Sequence, residues 1–138
     1  MSEFAENMAA GIDVLAVQSV LARYCHRCDD GDFAGLVDLF TPDGVFTYGD
    51  RTAHGRSELL AFFQGTQGRP GQRGKHLTFN LDVRPDGDTA RSVSDYVFLR
   101  TGADGPVLRL AGRYHDELRR LDGQWRIARR DVINLEVP

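Results

Sequence analysis

The 138-residue chain is close to the ~150 residues that one domain commonly takes, which argues against separate cofactor and substrate domains. Its 17 Lys and Arg against 20 Asp and Glu give a formal net charge of −3, which argues against the strongly basic face of an electrostatic nucleic-acid binder. With 41% apolar and 27% charged residues the composition is globular and fits neither a disordered chain nor a membrane protein. No uninterrupted apolar run reaches the ~18 residues of a membrane span. Met1 to Gly11 lacks the basic and apolar regions of a signal peptide, so a cytoplasmic protein is expected. Cys25 and Cys28 form C-H-R-C, but no second ligand pair follows and the motif falls late in a helical pattern. A pair so placed reads as core rather than as a redox or zinc site.

In chain order, Val14, Val17, Leu21, Tyr24 and Cys28 recur at three- and four-residue steps, predicting an amphipathic helix stopped by Asp29-Asp30-Gly31. Asp32 caps a second helix, in which Phe33, Leu36, Val37 and Phe40 share one face, and Thr41-Pro42-Asp43-Gly44 ends it. Val45 to Tyr48 is a short strand. Ser57 is the expected N-cap of a third helix, Glu58 to Phe63. Gly65 to Gly74, whose glycines and Pro70 cannot continue a helix, is expected to be an irregular loop, a lid or pocket rim.

The period then changes to two. Leu77, Phe79, Leu81 and Val83 alternate with His76, Thr78, Asn80 and Asp82, and the Pro85-Asp86-Gly87-Asp88 turn follows. Long strands are expected over about Ala90 to Arg100, Val107 to Arg120 and Trp125 to Leu135, joined by turns at 101–106 and 121–124. Helices followed by an antiparallel meander predict an α+β domain with its helices on one face of a curved sheet.

Several segments, in order, carry a family resemblance: Y-C-H-R-C-D-D-G-D-F-A-G-L-V-D-L-F-T-P-D-G-V-F from Tyr24 to Phe46, H-G-R-S-E-L-L-A-F-F, K-H-L-T-F-N, and G-R-Y-H-D-E-L-R-R-L-D-G-Q-W-R-I-A-R-R. Over roughly residues 10 to 135 the chain resembles the SnoaL-like branch of the NTF2-like superfamily. The resemblance implies one cone-shaped domain over residues 1–138 with a pocket between helices and sheet, no cofactor or metal, and a homodimer formed through the outer sheet face. Tyr24, Asp29 and His76 resemble the pattern of the scytalone dehydratases and, in the Tyr-to-Asp spacing, of the bile acid 7α-dehydratases. There the aspartate orients a catalytic histidine and the tyrosine activates a carbonyl. By the same resemblance Arg130 is the candidate catalytic arginine; Arg129, one position away, faces the opposite side. Asn80 and Tyr114 are candidate substrate-binding pocket walls.

Eliminating water from a β-hydroxy-carbonyl compound needs an α-proton removed, an enolate stabilised and a departing hydroxide protonated. A histidine near its ordinary pKa of about 6.5 serves both proton transfers when a carboxylate fixes its tautomer. A tyrosine hydroxyl on the carbonyl oxygen supplies a bond of the kind worth roughly 3–4 kcal/mol in an oxyanion hole. The expected activity is therefore that of a cofactor-independent dehydratase-like lyase acting on a hydrophobic cyclic or polyketide-like small molecule. A polyketide cyclase or isomerase of the same fold, and a non-catalytic binding or dimerisation module, are the alternatives. Contact between Asp29 and His76 separates enzyme from module. Two departures narrow the chemistry. Where the scytalone dehydratases carry a second histidine, Arg91 to Tyr96 offers Ser92, Ser94 and Asp95, and the ketosteroid isomerase base would fall at about Tyr48, which holds its proton at neutral pH.

Overall fold

The computed structural model describes residues 2–136. Helix α1 (Glu3–Asp30) starts where Ser2 Oγ accepts the Ala5 N–H, with Glu3 and Glu6 in the first turn complementing the helix dipole. It ends at Gly31, whose φ of +75° is the left-handed cap conformation that favours glycine. The apolar stripe read from Val14 onward is its buried half, with Val17, Val20, Leu21 and Tyr24 in the core. The first half extends beyond that stripe and leaves Phe4, Met8, Ile12 and Leu15 exposed. By length and composition alone α1 is apolar enough to cross a membrane. Its second half is instead packed into the core.

Asp32 caps α2 (Phe33–Val37) as expected, accepting the Gly35 N–H at 3.0 Å. Phe40 does not belong to this helix. It opens β1 (Phe40–Tyr48), because the Leu39 carbonyl is captured by the Ile127 N–H at 2.8 Å and Phe40 pairs with Ile127. Thr41-Pro42-Asp43-Gly44 is accordingly an irregularity inside the strand rather than a helix stop, and pairing resumes at Val45 with Arg129. Pro42 has no N–H to give a ladder, which suits it to this place. A short strand that the sequence reading missed, β2 (Arg51–His54), folds back on β1 through Gly49, whose φ is +61°.

Helix α3 (Gly55–Gln67) is longer at both ends than expected. Its N-cap is His54, not Ser57, and the His54 N–H donates to Glu58 Oε1 at 3.1 Å. The expected 65–74 loop is therefore shorter: Gly65 to Gln67 continue the helix, and Pro70–Gln72 forms a single 3-10 turn. Four strands follow: β3 (Lys75–Asp86), β4 (Thr89–Gly102), β5 (Gly105–Leu121) and β6 (Gln124–Asn134). The sheet order is β2-β1-β6-β5-β4-β3, antiparallel except for the parallel β1–β6 pair. The α+β architecture expected from sequence is thus the one observed.

One bulge corrects the strand reading. Asn80 sits at φ +54°, and the β3–β4 register slips between Phe79 and Asp82. An extra residue reverses the faces of all that follow. Before it, His76 and Thr78 point inward while Leu77 and Phe79 are exposed; after it, Leu81 and Val83 pack against the core.

Candidate active site

The C-terminal turn of α1 meets the start of β3. Cys25 Sγ and Thr78 Oγ1 lie 3.2 Å apart, and one turn later Asp29 takes hold of His76. The carboxylate accepts the His76 backbone N–H at 3.0 and 3.2 Å through its two oxygens, and Asp29 Oδ1 lies 2.6 Å from His76 Nδ1. Both side chains are nearly buried, at 4% and 11% exposure. Nδ1–H donating to the carboxylate leaves Nε2 as the free lone pair, and no hydrogen-bond partner meets Nε2 among the described residues. The imidazole is held between the Phe98 ring, 4.5 Å away, and the edge of Tyr24, 6.5 Å away.

His76 and Tyr24 both line a cavity of about 140 Å³ between α1, α3 and the sheet. Its walls are mostly aromatic: Phe46, Phe62, Phe63 and Phe98 with Tyr48, Tyr96 and Tyr114. Burial pushes the Tyr24 hydroxyl well above the usual tyrosine range; neighbouring Cys28 adds to this and Arg130 opposes it. Tyr24 therefore stays a proton-bearing donor at neutral pH. Replacing it with Phe keeps the ring packing and, on the carbonyl-activating role that the family resemblance implies, is expected to lower turnover by ~100-fold or more, the scale of losing one oxyanion donor. Steady-state rates of the purified variant check this.

Tyr114 stands on the wall as expected and stacks on Tyr96 with ring centroids 4.3 Å apart. Gly112 makes that stack possible, since a Cβ there would lie 2.9 Å from the Tyr96 ring. Asn80 is corrected. The bulge turns it to solvent, off the cavity wall, where Nδ2 donates to Asp95 at 3.0 Å.

Arg130 faces inward, while Arg129 lies outside against Asp131 at 3.0 Å. Arg130 is fully buried yet does not line the cavity. It lies behind the wall, its guanidinium carbon 3.7 Å from the Tyr114 ring centroid and 4.3 Å from that of Tyr24. Asp116 receives Nε and Nη2 at 2.7 and 2.9 Å, and Nη1 is buried with no hydrogen-bond partner among the described residues. Burial alone pulls the arginine pKa down; the Asp116 carboxylate more than reverses this and keeps the cation charged. Arg130, expected as a catalytic arginine, thus stands beneath the two tyrosines and not in the cavity.

The sequence reading missed a polar chain on another wall. Tyr96 Oη donates to Asn134 Oδ1, and Asn134 Nδ2 donates to Tyr48 Oη at 2.7 Å. Of the two cysteines, Cys28 lines the cavity, with its thiol pushed up to about 12 by burial and then by the nearby Asp29 carboxylate. Burial raises the Cys25 thiol as well, so neither offers a thiolate at neutral pH. Ser92 and Ser94 are buried off the cavity wall, with hydroxyls that meet no partner among the described residues. His26, His54 and His115 stay off the cavity wall. Among the described residues no three His, Cys, Asp or Glu side chains gather as metal ligands.

Helices laid over an open six-stranded mixed sheet, enclosing a small cavity, define an NTF2-like, cystatin-like fold. The SnoaL-like domain model matches residues 12–131, and the chain belongs to that family. A Mycobacterium tuberculosis protein of unknown function is 36% identical with a TM-score of 0.85, over 91% of this chain and 78% of that one. An NTF2-like protein with a cystatin-like fold from Novosphingobium aromaticivorans is 26% identical, TM-score 0.83, over 96% and 91%. A candidate scytalone dehydratase from the same organism shares the fold at 22% identity, TM-score 0.80, over 91% and 85%. No curated protein matches the sequence.

Proposed function

We propose that the protein is a cofactor-independent lyase that removes water from a cyclic hydroxy-carbonyl compound by general acid–base chemistry. The Asp29–His76 contact at the cavity wall carries this reading, because a binding module needs no buried carboxylate to orient an imidazole. His76 Nε2 takes the α-proton while Tyr24 donates to the carbonyl oxygen. The imidazolium, stabilised by Asp29, then returns the proton to the departing hydroxyl, giving an α,β-unsaturated carbonyl and water. The cavity volume of about 140 Å³ matches the ~150 Å³ of an engineered apolar cavity that takes benzene, so it suits a single substituted ring better than the folded chain of a cyclase substrate. Incubation with monocyclic β-hydroxy ketones, followed by the ultraviolet absorbance of the conjugated product, is the test. Elimination by the wild type and its loss in Asp29→Asn support the reading; elimination that ignores Asp29 refutes it.

The same proposal includes a second copy of the chain on the outer sheet face. Leu77, Phe79 and Ile133 are 46%, 42% and 58% exposed there, with Val97 and Ala111 in the row beside Leu77 and the Asp95–Arg113 ion pair in the row between Phe79 and Ile133, an apolar surface crossed by one polar pair of its own. Light scattering after size exclusion is expected to give a dimer for the wild type and a monomer for Phe79→Glu/Ile133→Glu. A wild-type monomer at micromolar concentration contradicts it.

A further inference from the structure

Arg51 brings a positive charge to a cavity that has no carboxylate on its wall among the described residues. It lies on β2, directly across the hairpin from Tyr48, and its guanidinium carbon sits 4.4 Å from the Phe62 ring centroid. No carboxylate of the described chain pairs with it, whereas Arg130 on the far side of the cavity wall is neutralised by Asp116. Stacking occupies only the face of a guanidinium. Its N–H donors lie in the plane, and that edge is the one that binds a carboxylate with two parallel bonds. Phe62 thus holds the group against its ring, and among the described residues no hydrogen-bond partner takes its donors.

The topology sets where this charge stands relative to the chemistry. β2 and β3 are the two edge strands of the sheet, so Arg51 and His76 reach the cavity from opposite edges. A ring held between them meets the acid–base pair at one end and the cation at the other. Gln67, also on the wall, has a buried amide oxygen with no donor in the described chain, which suits a hydroxyl on the bound ring.

From this arrangement we infer that Arg51 is the specificity-determining residue for an anionic substituent, and that the substrate is a monocyclic ring acid whose carboxylate pairs with Arg51 at the cavity mouth. The inference rests on the cavity being the substrate site proposed above and names the substrate class of that site. A neutral ring of the same shape fills the aromatic walls equally but leaves the arginine to water. Binding therefore discriminates by charge.

Benzoate and its neutral isostere benzamide are the probes, titrated into the full chain and followed by protein NMR shifts. The wild type is expected to bind benzoate at least ~10-fold more tightly than benzamide, the scale of one charge-assisted pair. Arg51→Gln abolishes the preference by weakening benzoate, Arg51→Lys keeps part of it, and Arg84→Gln, an exposed arginine away from the cavity, keeps it whole. Arg51 is exposed on an edge strand, and circular dichroism is the check that its variants fold. Equal affinities in the wild type, a preference that survives Arg51→Gln, a preference lost equally in Arg84→Gln, or no binding of either probe each overturn the inference. Should His76 prove idle in turnover while the Arg51 preference stands, the lyase reading fails and the anion subsite remains.

Discussion

His76→Ala is expected to lower turnover by ~10²–10⁴-fold, the contribution of a positioned acid–base group, with the protein otherwise intact. On the proposed mechanism the substitution removes the one side chain that both takes and returns the proton. It does not remove the backbone bond, since the residue at 76 still donates its N–H to Asp29. Losing the Nδ1–H donor to the nearly buried Asp29 is expected to lower the melting temperature moderately, and the loss in kcat is expected to far exceed what that fall explains. Asp29→Asn keeps the shape but replaces an acceptor-only carboxylate by an amide, which no longer enforces Nδ1–H and no longer stabilises the imidazolium. A fall between that of His76→Ala and the wild type is expected, and paired steady-state and melting measurements check both.

The largest effect on stability is expected from Asp116→Ala. Asp116 and Arg130 are a fully buried pair with two hydrogen bonds, and removing the carboxylate strands a cation that the fold keeps from water. Breaking such a pair costs about 3–5 kcal/mol. For a domain of this size that is a fall in Tm on the order of 10 °C, read by thermal or denaturant melts. The double variant Asp116→Leu/Arg130→Met is expected to regain much of this, because two apolar side chains leave no buried charge unpaired. Its turnover is expected to fall nonetheless, since Tyr24 and Tyr114 lose the guanidinium beneath them. A double variant no more stable than Asp116→Ala contradicts this assignment of the cost.

Local signals were the legible ones. The stripe from Val14 to Cys28, the Asp32 cap and the places of the turns between the last four strands depend on neighbours in sequence and are found where expected, although strand pairing tightens each turn to two residues. Strand parity likewise put Arg129 and Arg130 on opposite faces, and packing against Tyr24 and Tyr114 decides that Arg130 is the inner one. What the sequence hid depends on distant partners. Phe40 has helical spacing, but pairing with Ile127 draws it into a strand. Asn80 follows an unbroken alternation, yet the slip against β4 turns it outward. Tyr48 and Asn134 meet across 86 positions, and nothing near either one announces the other. β2 reads R-T-A-H without alternation, so Arg51 escaped notice, although the Gly49-Asp50 step before it is ordinary hairpin chemistry.

Proton exchange at carbon tests the role of His76 most directly, because it needs the base and not the complete reaction. Cavity-sized β-hydroxy ketones are incubated in D2O with the wild type and with His76→Ala, and deuterium at the α-carbon is followed by NMR. Exchange catalysed by the wild type and reduced to the uncatalysed rate in His76→Ala is the predicted result. Equal exchange with both proteins, or none with a ketone shown to bind the wild-type cavity, contradicts it.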